Sequence, residues 1–227
     1  MARTYQIFVI NESNAPQQYA LLNQVPSVTP TVTTGVWSNV LSVISLERED
    51  TVLFTLDDEA YGFVGSSTKT PGTDGATVNT SDFEKVILGG LSTTGEEQKG
   101  TTLTTGIFQS LFKFTGEDAP LGGEGAFCVD TPFNFTVQNA LEDNWVFGLG
   151  KSIGGQPVAA ATMTPAPSTS CQITPSNIWY ITYGQYVQGQ ILNIDEARTP
   201  VVAIDFSQLP AEVTVVHSQN GTLSIRW

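Results

Sequence analysis

The feature that most constrains this chain is its punctuation. Short runs rich in Val, Ile, Thr and aromatic residues recur along the whole length, each bounded by Gly, Pro, Asn or Asp. Such runs read as strands, because β-branched and aromatic side chains suit a pleated surface while the bounding residues make turns. Strands are predicted near 4–11, 18–23, 36–46, 51–56, 60–65, 84–88, 111–115, 126–129 and 133–138. The series continues near 144–149, 157–163, 177–183, 186–194, 200–206, 212–217 and 222–227. The dipeptide Asn220-Gly221 between the last two predicts a hairpin with a type I′ turn.

Helical spacing is short wherever it occurs. Asp82 to Leu88 has room for one or two turns, and Ile107, Leu111 and Phe114 show a partial helical period. Neither stretch reaches the length of about ten to twelve residues that separates a helix from a strand. The expected class is therefore all-β, an antiparallel β-sandwich with little helix. Ser66–Thr80, Leu91–Thr105 and Thr164–Ser170 read as polar loops, the first of them long and mobile.

A weak internal repeat suggests two related halves. At an offset of 128, Tyr5, Val9, Asn11, Tyr19 and Leu21 meet Phe133, Val137, Asn139, Phe147 and Leu149. The Gly-rich, acidic stretch Gly116–Gly125 would join them. The expected division is 1–125 and 126–227, either as two sandwich-like halves packed together or as one continuous domain.

Composition narrows the partners. Only 14% of the 227 residues are charged, and the net charge is −13. Binding to nucleic acid or anionic lipid draws on a basic field, so neither is expected. No apolar run reaches the roughly 18 residues of a membrane span. The chain begins with Met1 and a strand-like run in place of a secretory signal, which predicts a cytoplasmic location. The only cysteines, Cys128 and Cys171, read first as two buried thiols and second as one disulfide.

Catalytic motifs are sparse. The one histidine, His217, excludes every scheme that needs a pair, and no metal or other cofactor is expected. Gly150-Lys151-Ser152-Ile153-Gly154 matches Gly-x-Ser-x-Gly, followed in order by Asp195 or Asp205 and then His217. A nucleophile elbow turns from strand into helix, however, and Gly155-Gln156-Pro157 opens no helix, so this reads as a plain turn. Asp57-Asp58-Glu59 reads as a charged hairpin tip between two strands.

The aromatic residues are the most suggestive group. Trp37, Trp145 and Trp179 each lie close to an Asn, and the run from Trp179 to Tyr186 holds four rings, including Tyr180 and Tyr183. On a strand, Trp179, Ile181 and Tyr183 face one side while Tyr180 and Thr182 face the other. Rings on both sides exceed what one core face needs. Trp and Tyr stack on sugars or flat organic molecules, with Asn, Gln and Thr to orient them. The leading expectation is a protein that binds a small organic or carbohydrate ligand through an aromatic-lined pocket of Trp37, Trp145, Trp179, Tyr180 and Tyr186. The alternative is a cofactor-independent enzyme, a cyclase, isomerase or dehydratase, using His217, Tyr183, Asp205 and Arg198. A homodimer is the expected self-association.

Overall fold

A computed structural model describes residues 3–92, 95–197 and 199–226. The strands of the first half are β1 (Thr4–Asn11), β2 (Gln17–Asn23), β3 (Ser27–Thr29), β4 (Trp37–Leu46), β5 (Thr51–Ser67), β6 (Val78–Val86), β7 (Gly90–Leu91), β8 (Glu97–Gln98), β9 (Gly100–Phe108) and β10 (Leu111–Gly122). Those of the second are β11 (Phe127–Asp130), β12 (Trp145–Ile153), β13 (Gln156–Met163), β14 (Ser170–Thr174), β15 (Ile178–Tyr183), β16 (Ile191–Leu192), β17 (Val201–Asp205), β18 (Glu212–His217) and β19 (Leu223–Arg226). One short helix, α1 (Val137–Glu142), precedes β12. The all-β class with little helix holds. Among the described residues, no helix is long and apolar enough to cross a membrane.

The larger sheet runs in the order β17-β15-β2-β4-β13-β12-β5-β1-β18-β19, with β16 added to β4 and β6 to β5. Its pairs are antiparallel except β1 with β18. The path curls until its ends meet: Tyr5 on β1 stacks on Phe206 just after β17, with ring centroids 4.5 Å apart. A second sheet, β10-β9-β11-β14-β3, packs against the larger one. Phe112 of β10 meets Trp145 and Phe147 of β12 at 6.1 and 6.5 Å, which ties the two layers into one core.

Strands of 1–125 and 126–227 alternate along the larger sheet. β2 and β4 lie between β15 and β13, and β5 and β1 lie between β12 and β18. The halves are thus interleaved within one sheet and do not sit side by side.

Several local expectations are corrected. Asp57-Asp58-Glu59 is not a hairpin tip, because β5 runs through it unbroken. Lys151 pairs with Ala60 and Ser152 with Asp57, so the extra residues bulge from the strand at Asp58 and Glu59. The stretch 133–138 is not a strand: Thr136 accepts from the Asn139 backbone N–H, Asn139 reaches back to Thr136, and this capping box starts α1. The repeat partner of Tyr5–Asn11 is therefore a turn and a helix start. Segment 66–80 is a loop from Thr68 to Thr77 between the ends of β5 and β6, whereas much of 91–105 is strand, contributed by β7, β8 and β9. Between Tyr186 and Asn193 only β16 is strand. The β18–β19 hairpin forms, but φ is positive at Gly221 alone, so its turn is not type I′. Asn220 instead accepts hydrogen bonds from Ser218 Oγ and the Thr222 backbone N–H.

Cys128 and Cys171 are both free and buried. Val129 pairs with Cys171, so strand alternation points the two thiols to opposite faces of the ladder. Burial raises both thiol pKa values, that of Cys171 to about 11, as inert structural cysteines require.

Lys151 is the buried charge of this fold, 3% exposed on β12. No carboxylate of the described residues forms a salt bridge with it. Burial lowers its pKa, and the charge of Asp58 acts weakly in the other direction. An amine held this way costs stability at neutral pH. Lys151→Met is expected to gain about 1 kcal/mol in urea denaturation. A loss of similar size would mean that the ammonium is better satisfied than its surroundings indicate.

Candidate functional site

The residues suggested for acid–base chemistry do not converge. His217 lies at the end of β18, 1% exposed, where the curled sheet meets itself. Its Nδ1 is 2.8 Å from the Tyr19 hydroxyl, and its ring stacks on Tyr183 at 4.2 Å. Tyr183 in turn donates to the Gly221 carbonyl at 3.0 Å. His217 and Tyr183 are therefore in contact, but they close a seam between strands from opposite ends of the sheet. Asp205 pairs with Ile178 at the start of β15, while Tyr183 ends that strand. Five residues of strand separate the two positions by about 16 Å. Asp205 instead accepts from the Ser207 backbone N–H in a local turn. Arg198 lies outside the described residues. Ser152 donates to Asp57 Oδ2 at 2.8 Å, with no link to His217.

This seam predicts a pH dependence. Desolvation lowers the His217 pKa below its ordinary 6.5, so the fold favours neutral imidazole. The stability this provides is complete above about pH 6.5 and is lost as the pH falls through the folded pKa. Thermal midpoints of the wild type should drop over that acid range, and His217→Gln should flatten the slope. Parallel slopes would show that His217 does not titrate with unfolding.

The suggested ligand residues divide into two groups. Trp145 is buried, stacked on Phe112 and edge-to-face with Phe135, and its indole N–H donates to the Ser110 carbonyl at 3.1 Å. Trp179 is also buried in the core. Neither lines the cleft described below. Tyr180 faces the other side of β15, half-buried, with its pKa raised by burial and by Asp195. Trp37 and Tyr186, however, come together.

They line a cleft of about 570 Å³ with Asp74, Gln185, Gln190 and Thr199 among its other walls. That volume suits a small organic ligand. Three segments build it: the loop from Thr68 to Thr77, the entry to β4, and the stretch from Gly184 to Thr199. Backbone hydrogen bonds lock them together. Gly189 N–H donates to Val40, Val40 N–H to Gln190, Val78 N–H to Gly189, and Ile191 N–H to Ala76, all at 2.8–2.9 Å. Loop residues are therefore held by strand-like pairing to β4, and the walls are fixed before a ligand arrives.

The two rings are positioned differently. The Tyr186 backbone N–H donates to the side chain of Gln18, at Oε1, over 2.8 Å. Its hydroxyl lies 3.2 Å from Thr199 Oγ1, which is also 2.9 Å from Thr182 Oγ1. Trp37 is half-buried against Gly35 and Gly72, with φ of +91° and +88°. A Cβ on Gly35 would come within 2.7 Å of the indole, and one on Gly72 within 2.8 Å. Only glycine allows both the left-handed backbone and this approach. Among the described residues, the indole N–H of Trp37 has no hydrogen-bond partner. The cleft thus offers an aromatic surface, a free indole donor, hydroxyls and amides, and the carboxylate of Asp74.

Gly35 and Gly72 were not singled out in the sequence. Their signal was the turn chemistry of Thr34-Gly35-Val36-Trp37 and Pro71-Gly72-Thr73-Asp74-Gly75, but only the fold brings the second to the first. Among the described residues, no group of three or more His, Cys, Asp or Glu could hold a metal.

Comparison with curated proteins and with solved structures found no match. A family model described as RhiA matches residues 2–226, nearly the whole length, and the chain belongs to the RhiA family.

Proposed function

We propose that this RhiA-family protein binds a carbohydrate or similarly small, hydroxyl-rich organic ligand in the Trp37–Tyr186 cleft. The observation that carries this reading is the pair of rings at one cleft with amides and hydroxyls around them, on walls fixed by backbone pairing. Aromatic faces meet the C–H faces of sugars, and the surrounding polar groups set orientation. The alternative, a cofactor-independent enzyme, draws less support. His217 is buried at the seam between Tyr19 and the partly buried Tyr183, and Asp205 serves a separate turn.

A glycan array followed by calorimetry tests the proposal. Trp37→Ala is expected to weaken binding at least tenfold, and Tyr186→Ala comparably, while Trp179→Phe leaves affinity nearly unchanged. Binding that survives both cleft substitutions would place the site elsewhere.

A further inference from the structure

Among the described residues that line the Trp37–Tyr186 cleft, one carries a formal charge, Asp74. The loop from Thr68 to Thr77 determines where it stands. Thr73 N–H donates to the Thr70 carbonyl and Ala76 N–H to the Thr73 carbonyl, both at 3.1 Å, so Asp74 sits in the second of two successive turns. On one side of it, Gly72 lies against the Trp37 indole, so close that an added Cβ would be 2.8 Å from the ring. On the other, the Ala76 carbonyl accepts from the Ile191 N–H at 2.8 Å, and Ile191 is itself a wall of the cleft. Two residues of chain span at most about 7 Å. Asp74 is therefore held within that reach of both anchors, beside the indole.

Asp74 is exposed, and no salt bridge among the described residues involves it. Lys69, on the same loop, donates from Nζ to the Asp74 backbone carbonyl at 2.9 Å. That contact braces the turn and leaves the carboxylate open. The Lys69 charge offsets part of the acid's field through solvent, where salt screens it. A ligand cation on the carboxylate makes direct, charge-assisted hydrogen bonds, roughly twice as strong as neutral ones. The face of a Trp ring also attracts a cation within about 6 Å of its centre. With a net charge of −13, the whole chain draws cations in and repels anions. A neutral sugar uses the rings, amides and hydroxyls of this cleft but not its charge. An acidic sugar is repelled by that charge. A sugar with a protonated amine uses every group.

We infer that the cleft selects saccharides bearing a free amino group, whose ammonium is taken by the Asp74 carboxylate beside the Trp37 ring. This rests on the reading of the cleft as a saccharide site. It adds the class of sugar and the residue that sets the choice. Stacking on Trp37 and Tyr186 holds a sugar of any charge, and Asp74 decides among them.

The experiment uses the full chain and calorimetry with glucosamine, glucose, N-acetylglucosamine and glucuronic acid, and with the same four derivatives of galactose, below neutral pH so that the amines are charged. Within a series the ring is constant and the charge changes. The amino sugar should bind the wild type about tenfold more tightly than its neutral parent or its acetylated form, and the acidic sugar most weakly of all. Added salt should narrow that gap. Asp74→Asn keeps the size of the side chain and removes its charge, so it should bind amino and neutral sugars alike. Its thermal midpoint should match the wild type, which separates a lost charge from a damaged loop. If amino and neutral sugars bind the wild type equally and both are lost in Trp37→Ala, the saccharide cleft stands and the amine preference falls. Tightest binding of the acidic sugar, or an amine preference that survives in Asp74→Asn, would also overturn the assignment to Asp74. If no sugar of either series binds the wild type, the saccharide reading falls and the amine preference with it.

Discussion

Gly148→Ala is expected to cost more stability than any other single methyl added to this chain's central sheet. Gly148 lies on β12, hydrogen-bonded between β5 and β13. A Cβ there would sit 1.9 Å from the Ala161 carbonyl oxygen, where ordinary carbon–oxygen contacts are about 3.3 Å. It would also come within 3.0 Å of the Phe63 ring. The obstructing atom is the backbone of a neighbouring strand, which cannot rotate aside. One or both ladders must give way, at a cost of about 3 kcal/mol or more. Domains of this kind hold only about 5–15 kcal/mol in total. Soluble yield and the urea midpoint should both fall sharply. A midpoint close to that of wild type would mean that β12 and β13 are further apart at this point than the register implies.

The second large effect is Trp145→Ala. This indole fills the junction between the two sheets, against Phe112 and Phe135, and satisfies the Ser110 carbonyl. Its removal leaves a cavity in the shared core and an unpaired carbonyl, together costing about 3–5 kcal/mol. Trp37→Ala, at a half-buried ring, should cost clearly less. Denaturation midpoints therefore rank wild type, then Trp37→Ala, then Trp145→Ala, while saccharide binding ranks Trp145→Phe well above Trp37→Ala. The reverse stability order would indicate that the core and cleft roles of the two indoles have been exchanged.

That contrast shows where sequence reasoning reached its limit. Trp37, Trp145 and Trp179 look alike along the chain, each close to an Asn. What separates them is which sheet face each occupies and what covers that face, and both depend on strands far away in sequence. The β class was legible because turn residues and β-branched runs act locally. The bulge at Asp58 and Glu59 was not, because an extra residue is defined only against the strand it pairs with, here β12. The start of α1 was missed for another reason. Phe133 and Phe135 have a strand's alternation, yet the Thr136–Asn139 capping box decides the local structure. Tyr186 and Trp37 were both suspected from residue type, but Gly35 and Gly72, which allow the indole its position, are recognisable only once loop and strand meet.

The central claim is that the Trp37–Tyr186 cleft holds the ligand. Fluorine NMR of protein labelled with 5-fluorotryptophan tests it most directly, with resonances assigned by single Trp→Phe substitutions. Titration with the saccharide bound most tightly on the array should shift the Trp37 resonance and leave those of Trp145 and Trp179 in place. A shift at either buried indole with none at Trp37 would contradict the account.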